Sequence, residues 1–527
     1  MKSPLGSLLG WMSACCVFSG TSLSQTSGDV ADLEWVAGEG NFEFGSGFCL
    51  AGDIDGDGVL DVAIADRTAR VDGFFASGKV QVVSGKDGSL IRTYLGEPSM
   101  AQYFGFSMAS LDANGDGVSD LAVGAPGQLD EDGFRAGGVT IYSGVDGAVL
   151  GTVIGPGGSQ FGTALVNAGD QNGDGIEDLH VGAPIADGFK GEVFTLSGSD
   201  LALLRRVGTD ASSSGFGSVL VALDDRDGDG LMDLAVSSPS FTQGGDFYKG
   251  RVQLIRSSDG SVAAEIAGSG VYNRLGNTMA PAPDQNQDGI SDLLVGSFWH
   301  GTLKLVSGAD LSTLSDLSMT LPANRPVNAG GVLDLDGDQV DDFLIGSNGL
   351  ALVDGNLVGG VRVISGADGS TLFERLGSAA PTGLGSVQTV LPGLGFAVGE
   401  RRLFNEDTGG YGAAYLWKVD LVRDSDGDGI PDDQDLNPNS NLDALIRILG
   451  RDTGVGNFVD DNGLTLADRF DDLGSLEDFR NPTHYFTSVV HLTNDLVEEE
   501  LINERERKAI NAAARDGAVQ TRGKGGR

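Results

Sequence analysis

Asp53-Ile54-Asp55-Gly56-Asp57-Gly58-Val59-Leu60-Asp61 sets four carboxylates at positions 1, 3, 5 and 9 of a nine-residue stretch. The same spacing, Asp-x-Asp/Asn-x-Asp-x-x-x-Asp, returns five more times. The later copies are Asp112, Asn114, Asp116, Asp120; then Asp170, Asn172, Asp174, Asp178; then Asp225, Asp227, Asp229, Asp233. Asp284, Asn286, Asp288, Asp292 and Asp334, Asp336, Asp338, Asp342 complete the series. Successive copies start 59, 58, 55, 59 and 50 residues apart. Self-similarity at a fixed period marks a repeat architecture, and this period suits one four-stranded blade with its loops.

Each copy has similar neighbours. A Phe-Gly or related pair precedes the first five: Phe44-Gly45, Phe104-Gly105, Phe161-Gly162, Phe216-Gly217 and Leu275-Gly276. A short apolar strand follows the loop, as at Leu121-Ala122-Val123, and ends in Gly-Ala-Pro at 124–126 and 182–184. A β-rich run then enters a Ser-Gly turn, as at Val139 to Gly144, and another strand follows. Four short strands with turn punctuation are the signature of a propeller blade. A seventh unit lacks the acidic loop. It offers Gly385 to Val387, Gly395 to Gly399 and Ala413 to Trp417 as three strands, with none after them. An orphan strand at Leu33 to Gly38 supplies the fourth if the N-terminus closes the ring, which removes an open sheet edge. The expected fold is all-β: a seven-bladed β-propeller of four-stranded blades over 31–420, closed by an N-terminal strand.

The repeats resemble the FG-GAP repeats of integrin α-chain propellers in their Phe-Gly and Gly-Ala-Pro elements and their acidic loops. The resemblance implies ligand contact through loops on one face of the propeller. It does not say which loops.

Calcium is a hard cation that takes about six to eight oxygens. Positions 1, 3 and 5 of a tight loop can aim side-chain oxygens at one centre. Position 7 needs only its backbone carbonyl. It is Val59, Val118, Ile176, Leu231, Ile290 and Val340, all apolar and expected to face the core. Position 9 closes the site. Position 6 is glycine in five loops and Gln339 in the sixth, where a positive φ would strain the backbone. Asx-turns without metal are the simpler reading of a single such loop. Six in register, carrying 21 carboxylates that would otherwise repel, favour Ca²⁺ at about six or seven sites, counting one loop described below. An all-oxygen donor set argues against zinc or copper.

The net charge of −41 disfavours nucleic acid and anionic membrane partners, and seven Ca²⁺ would bring it to about −27. Three cysteines, Cys15, Cys16 and Cys49, exclude a disulfide scaffold. Residues 1–24 read as a signal peptide, with an apolar run from Leu5 to Phe18. Lipoprotein anchoring at Cys15 is the rival reading. No later segment is long and apolar enough for a transmembrane helix.

Residues 421–440 hold one more acidic loop, with Asp424, Asp426, Asp428, Ile430, Asp432 and Asp435 as candidate ligands. With Pro431 and Asn437-Pro438 it resembles a thrombospondin type 3 repeat and implies a calcium-stiffened linker. Residues 441–527 form a small, mainly α region. The pattern predicts one helix over Leu442 to Leu449 capped by Gly450, another from Phe486 to Ala514 ended by Gly517, and a basic tail.

No nucleophile-elbow, zinc-protease or P-loop motif occurs. Of the four histidines, His180 reads as a packing residue, and His300 beside Trp299 has no visible partner. The expected function is a secreted or cell-surface, calcium-binding, non-enzymatic scaffold. It would recognise an extracellular protein or carbohydrate ligand on one propeller face, in adhesion or matrix binding. A secreted polysaccharide lyase or glycosidase is the alternative, and a surface-layer component is a third reading.

Overall fold

The computed structural model describes residues 31–36, 43–209, 211, 214–297, 303–317, 328–335, 340–353, 356–366, 369–377, 384–391, 394–401, 411–418, 445–448, 451–456, 469–470, 482–498 and 501–524. The signal-peptide reading, residues 421–440, Asp336, Asp338, Gln339 and His300 lie outside them.

Seven four-stranded antiparallel sheets make a seven-bladed β-propeller. Blade one pairs Gly47–Gly52, Asp61–Asp66, Lys79–Val83 and Leu90–Leu95 in that order. Blades two to six repeat it. In blade seven Leu384–Leu391, Gly395–Glu400 and Ala413–Lys418 are joined by the N-terminal strand Ala31–Val36, in register from Ala31 opposite Lys418 to Val36 opposite Ala413. The closure expected from the orphan strand is therefore made. The first strand of each blade packs against that of the next, and blade seven returns to blade one through Leu384–Leu391 against Gly47–Gly52.

Every completely described second strand is buried along its whole length, for example Asp120–Ala125 and Gly395–Glu400. Blades stack face to face there, which demands small and β-branched residues. The stacking also explains why Phe-Gly and Gly-Ala-Pro travel together. A Cβ on Gly182 of the second strand would collide with the carbonyl oxygen of Gly217 in the next blade's Phe-Gly, and one on Gly399 with that of Gly45. The phenylalanines bridge back to the previous blade, pairing Phe104 with Gly78, Phe161 with Gly137 and, across the closure, Phe44 with Gly412. Phe161 and Phe216 are among the largest fully buried side chains.

The C-terminal region departs from its predicted elements. Leu445–Ile448 is a strand paired with Arg451–Gly456, not a helix. The apolar Leu-Ile-Arg-Ile run fits either period at that length, and pairing decides it. The long predicted helix is two, Pro482–Glu498 and Glu504–Lys524. Asn503 caps the second, its side-chain oxygen accepting from Arg505 N at 2.9 Å and Glu506 N at 3.2 Å. Glycine 517 does not end it. Val455, Phe470, Tyr485, Val489, Leu496, Ile502 and Ile510 share one small core. Among the described residues, no helix is long and apolar enough to cross a membrane.

Candidate functional site

Antiparallel order gives the propeller two unlike ends. The loops from first to second strand and the turns from third to fourth share the lower end. The loops from second to third strand, and from each blade to the next, share the upper end.

The acidic loops occupy the lower end, and four of the six share one backbone design. In loop one, Asp53 Oδ1 accepts from Gly56 N (2.8 Å) and Asp57 N (3.0 Å), and Oδ2 accepts from Gly58 N (3.0 Å). Asp57 Oδ1 accepts from Val59 N at 2.9 Å. Asp112, Asp170 and Asp225 repeat the position 1 pattern. These are Asx-turn bonds, and they hold the loop so that its carboxylates converge. One oxygen each of Asp53, Asp55 and Asp57 lie within 4.8 Å of one another, as do those of Asp225, Asp227 and Asp229. The glycine at position 6 has φ between 82° and 90° in all five loops that carry one, as the sequence requires.

Sequence reasoning missed position 4, which is also left-handed. Gly56, Gly115, Gly173 and Gly228 stand there, but loop five has Gln287 at φ 60°. That loop lacks the bond from position 4 to position 1, keeping Asp284 bonded to Asp288 N and Gly289 N. The signal was readable as a glycine alternation that fails once.

Position 9 carries the second unforeseen feature. Asp61, Asp120, Asp178, Asp233, Asp292 and Asp342 are fully buried. Each also reaches across its blade to the turn between third and fourth strands. Asp178 Oδ2 accepts from Gln171 N at 2.7 Å and Oδ1 from Gly198 N at 3.0 Å. Asp120 joins Ala113 N and Gly144 N in the same way, and Asp342 joins Leu335 N and Gly366 N. Burial pushes the carboxyls of Asp61, Asp120, Asp178, Asp233 and Asp292 above their ordinary value, and loop neighbours such as Asp116 and Asp174 add to it. Backbone N–H bonds hold Asp170 and Asp225 below it. In loop four Asp233 Oδ2 is buried without a hydrogen bond, 3.7 Å from Arg226 Nη1. The position 7 residues Val59, Val118, Ile176, Leu231, Ile290 and Val340 are half-buried, and Val59 packs against the core shared by blades seven and one, as expected of that position. Asp334 is half-buried beside the undescribed middle of loop six.

A cluster of oxygen donors, charged and held in tight loops, fits a hard divalent cation and not a soft one. Among the described residues, the ones brought together for it are those at positions 1, 3 and 5 of loops one and four.

The upper end has opposite chemistry. Nine aromatic side chains are exposed among the described residues: Phe74, Phe75, Phe106, Phe134, Phe189, Phe247, Tyr248, Tyr272 and Tyr411. All nine sit in upper loops, with Phe134 65 % and Phe247 60 % exposed. Arginines face several of them: Arg67 over Phe106, Arg70 over Phe75 and Arg274 over Tyr248. An open groove of about 530 Å³ runs between the loops of blades one to three. A cavity of about 10 Å³ between blades three and four has room for one water at most. His180 lines it, bonded to Thr195 Oγ1 at 3.0 Å, with Nε2 unpartnered and burial pushing its pKa down to about 4. His180 is 3 % exposed and packs between blades.

The ring, its blade-to-blade Phe-Gly contacts and its acidic loops are similar to those of FG-GAP-repeat, integrin α-chain propellers. Residues 104–142 match the family model described as FG-GAP repeat. The chain is 36% identical over 161 residues to integrin alpha-6 of Gallus gallus, covering 29% of this chain and 15% of that protein. It is 32% identical over 155 residues to integrin alpha-PS5 of Drosophila melanogaster, covering 27% and 15%. It is 35% identical over 154 residues to integrin alpha-V of Gallus gallus, covering 26% and 14%. The matched stretches thus span about a seventh of these relatives' length.

Proposed function

We propose that this chain is an extracellular, calcium-binding, non-enzymatic scaffold that recognises a protein or carbohydrate ligand through its upper face. The observation that carries the reading is the segregation of all nine exposed aromatics onto the upper loops. Exposed apolar side chains gathered in one region mark an interaction surface. Aromatic and arginine side chains are also the types that dominate binding hot spots. Similarity to integrin α chains supports ligand recognition as the role, and the signal-like residues 1–24 support secretion or cell-surface display.

Calcium belongs to the lower face in this reading. Positions 1, 3, 5, 7 and 9 of the six propeller loops hold it, and Asp424, Asp426, Asp428, Ile430, Asp432 and Asp435 hold one more in a thrombospondin type 3-like linker over 421–440. Bound calcium neutralises the buried and clustered aspartates and sets the blades, while the upper loops make the contact. The domain plan is a signal peptide at 1–24, the propeller at 31–420, the linker, and a C-terminal module at 441–527.

The test is an array of glycans and matrix proteins probed with the full chain in calcium and in chelator. A ligand should bind in calcium, lose binding in chelator, and bind the Phe134→Ala/Phe247→Ala double variant at least about tenfold more weakly. Silence across the array in calcium would sink the reading, and so would binding that ignores the double variant.

A further inference from the structure

We infer that the groove between blades one, two and three on the upper face binds a carboxylated oligosaccharide, with Arg67 and Arg135 holding its acid groups. The inference rests on the reading of the upper face as the ligand face and adds the chemistry of the ligand. At about 530 Å³ the groove lies within the usual range of small-ligand clefts, about 300–1,000 Å³.

Charge selects an anion. Among the described residues Glu43 is the one acid lining the groove, and two arginines share it: Arg67 Nε donates to Glu43 Oε2 at 3.1 Å, and Arg401 Nη1 lies 3.8 Å from the same oxygen. Arg67 spends only Nε there. Its two Nη groups make no hydrogen bond among the described residues. Its guanidinium carbon stands 5.3 Å from the ring centre of Phe106. Stacking on the ring orients the plane, and a planar fork with free Nη groups is suited to a carboxylate. Arg135 donates to the carbonyl oxygens of Ala101 (2.6 Å) and Met100 (3.3 Å), both neutral. No carboxylate pairs with it among the described residues. Two lining cations, Arg67 and Arg135, against one lining acid, in a chain of net charge −41, make this groove a local exception.

The remaining lining favours a sugar over an acidic peptide. No lining residue lies within a strand, so no sheet edge is offered to an extended backbone. Instead the groove presents the amide of Gln160 and the hydroxyls of Tyr103 and Thr68 beside the backbone of Gly127 and Gly158. Neutral groups that donate and accept suit ring hydroxyls.

The experiment is titration calorimetry of the full chain in calcium with three probes. They are a hexasaccharide alternating glucuronate and N-acetylglucosamine, its carboxyl methyl ester, and a hexaglutamate peptide. The acid sugar should bind, and the ester at least about tenfold more weakly. Arg67→Ala should weaken the acid sugar about 10–100-fold, consistent with loss of a charge-assisted hydrogen bond. Arg67→Lys, which keeps the charge and loses the fork, should also weaken it, with an unchanged melting temperature showing that the fold is intact. Arg135→Gln should weaken it about 3–10-fold. Equal binding of acid and ester, indifference to both arginines, or binding of the peptide alone would overturn the inference. If the acid sugar is not bound but another array ligand still depends on Phe134 and Phe247, the groove chemistry fails and the ligand-face reading stands. If the array is silent as well, both fail.

Discussion

The two ends of the propeller are built on opposite plans. The lower end is periodic: the acidic loop and its buried position 9 aspartate recur through the first six blades, and four of the loops share the same backbone bonds. The upper end is irregular, with loops of differing length that carry exposed aromatics and stacked arginines. Repetition at one end is what a structural requirement produces, since every blade must solve the same packing problem. Irregularity at the other is what recognition of a non-repeating ligand produces. The lower face should therefore govern stability and the upper face binding.

Substitutions can break that division. Asp178→Ala should have the largest effect, about 2–5 kcal/mol of lost stability, because it leaves the N–H groups of Gln171 and Gly198 buried without an acceptor. Denaturant melts in calcium would measure it, and a loss below about 1 kcal/mol would show that position 9 is not structural. Asp178→Asn sharpens the point. Burial raises this carboxyl's pKa, so its ionised form is the disfavoured one and stability is lost as pH rises through the folded value. The neutral amide should thus cost clearly less in chelator than in calcium. Equal cost in both media would mean that no cation meets Asp178. At Gln287 the expected change is smaller and of opposite sign. Gln287→Gly relieves a left-handed non-glycine residue and should gain about 1 kcal/mol. A loss would mean that the side chain has a role of its own. Phe134→Ala should change stability least, within about 0.5 kcal/mol, because the ring is 65 % exposed. A large loss there would contradict the division of labour.

The same contrast sets how much the sequence revealed. Seven blades, their strand order and the N-terminal closure were legible because each rests on a pattern repeated several times, and errors in one copy are corrected by the others. The position 6 glycines were legible for the same reason. The buried role of position 9 was not, because its partner, Gly198 for Asp178, lies in a different strand connection; the separation is 24 residues in four of the six blades, but nothing within the acidic loop points to it. The upper groove was not legible either. Glu43, Arg67, Arg135 and Gln160 come from separate loops of successive blades, and only the stacking of those blades brings them together. In the C-terminal region, Leu445–Ile448 was misread as helical because four residues cannot show a period, while Asn503 marks the helix break as a cap that a hydrophobic pattern alone passes over.

Calcium titration of the chelated full chain, followed by thermal melting with and without the ion, tests the central claim most directly. The account predicts several binding sites per chain and a melting temperature that rises by many degrees as they fill, since ligand binding to the folded state stabilises it by mass action. A titration without heat and a melting temperature indifferent to chelator would contradict it.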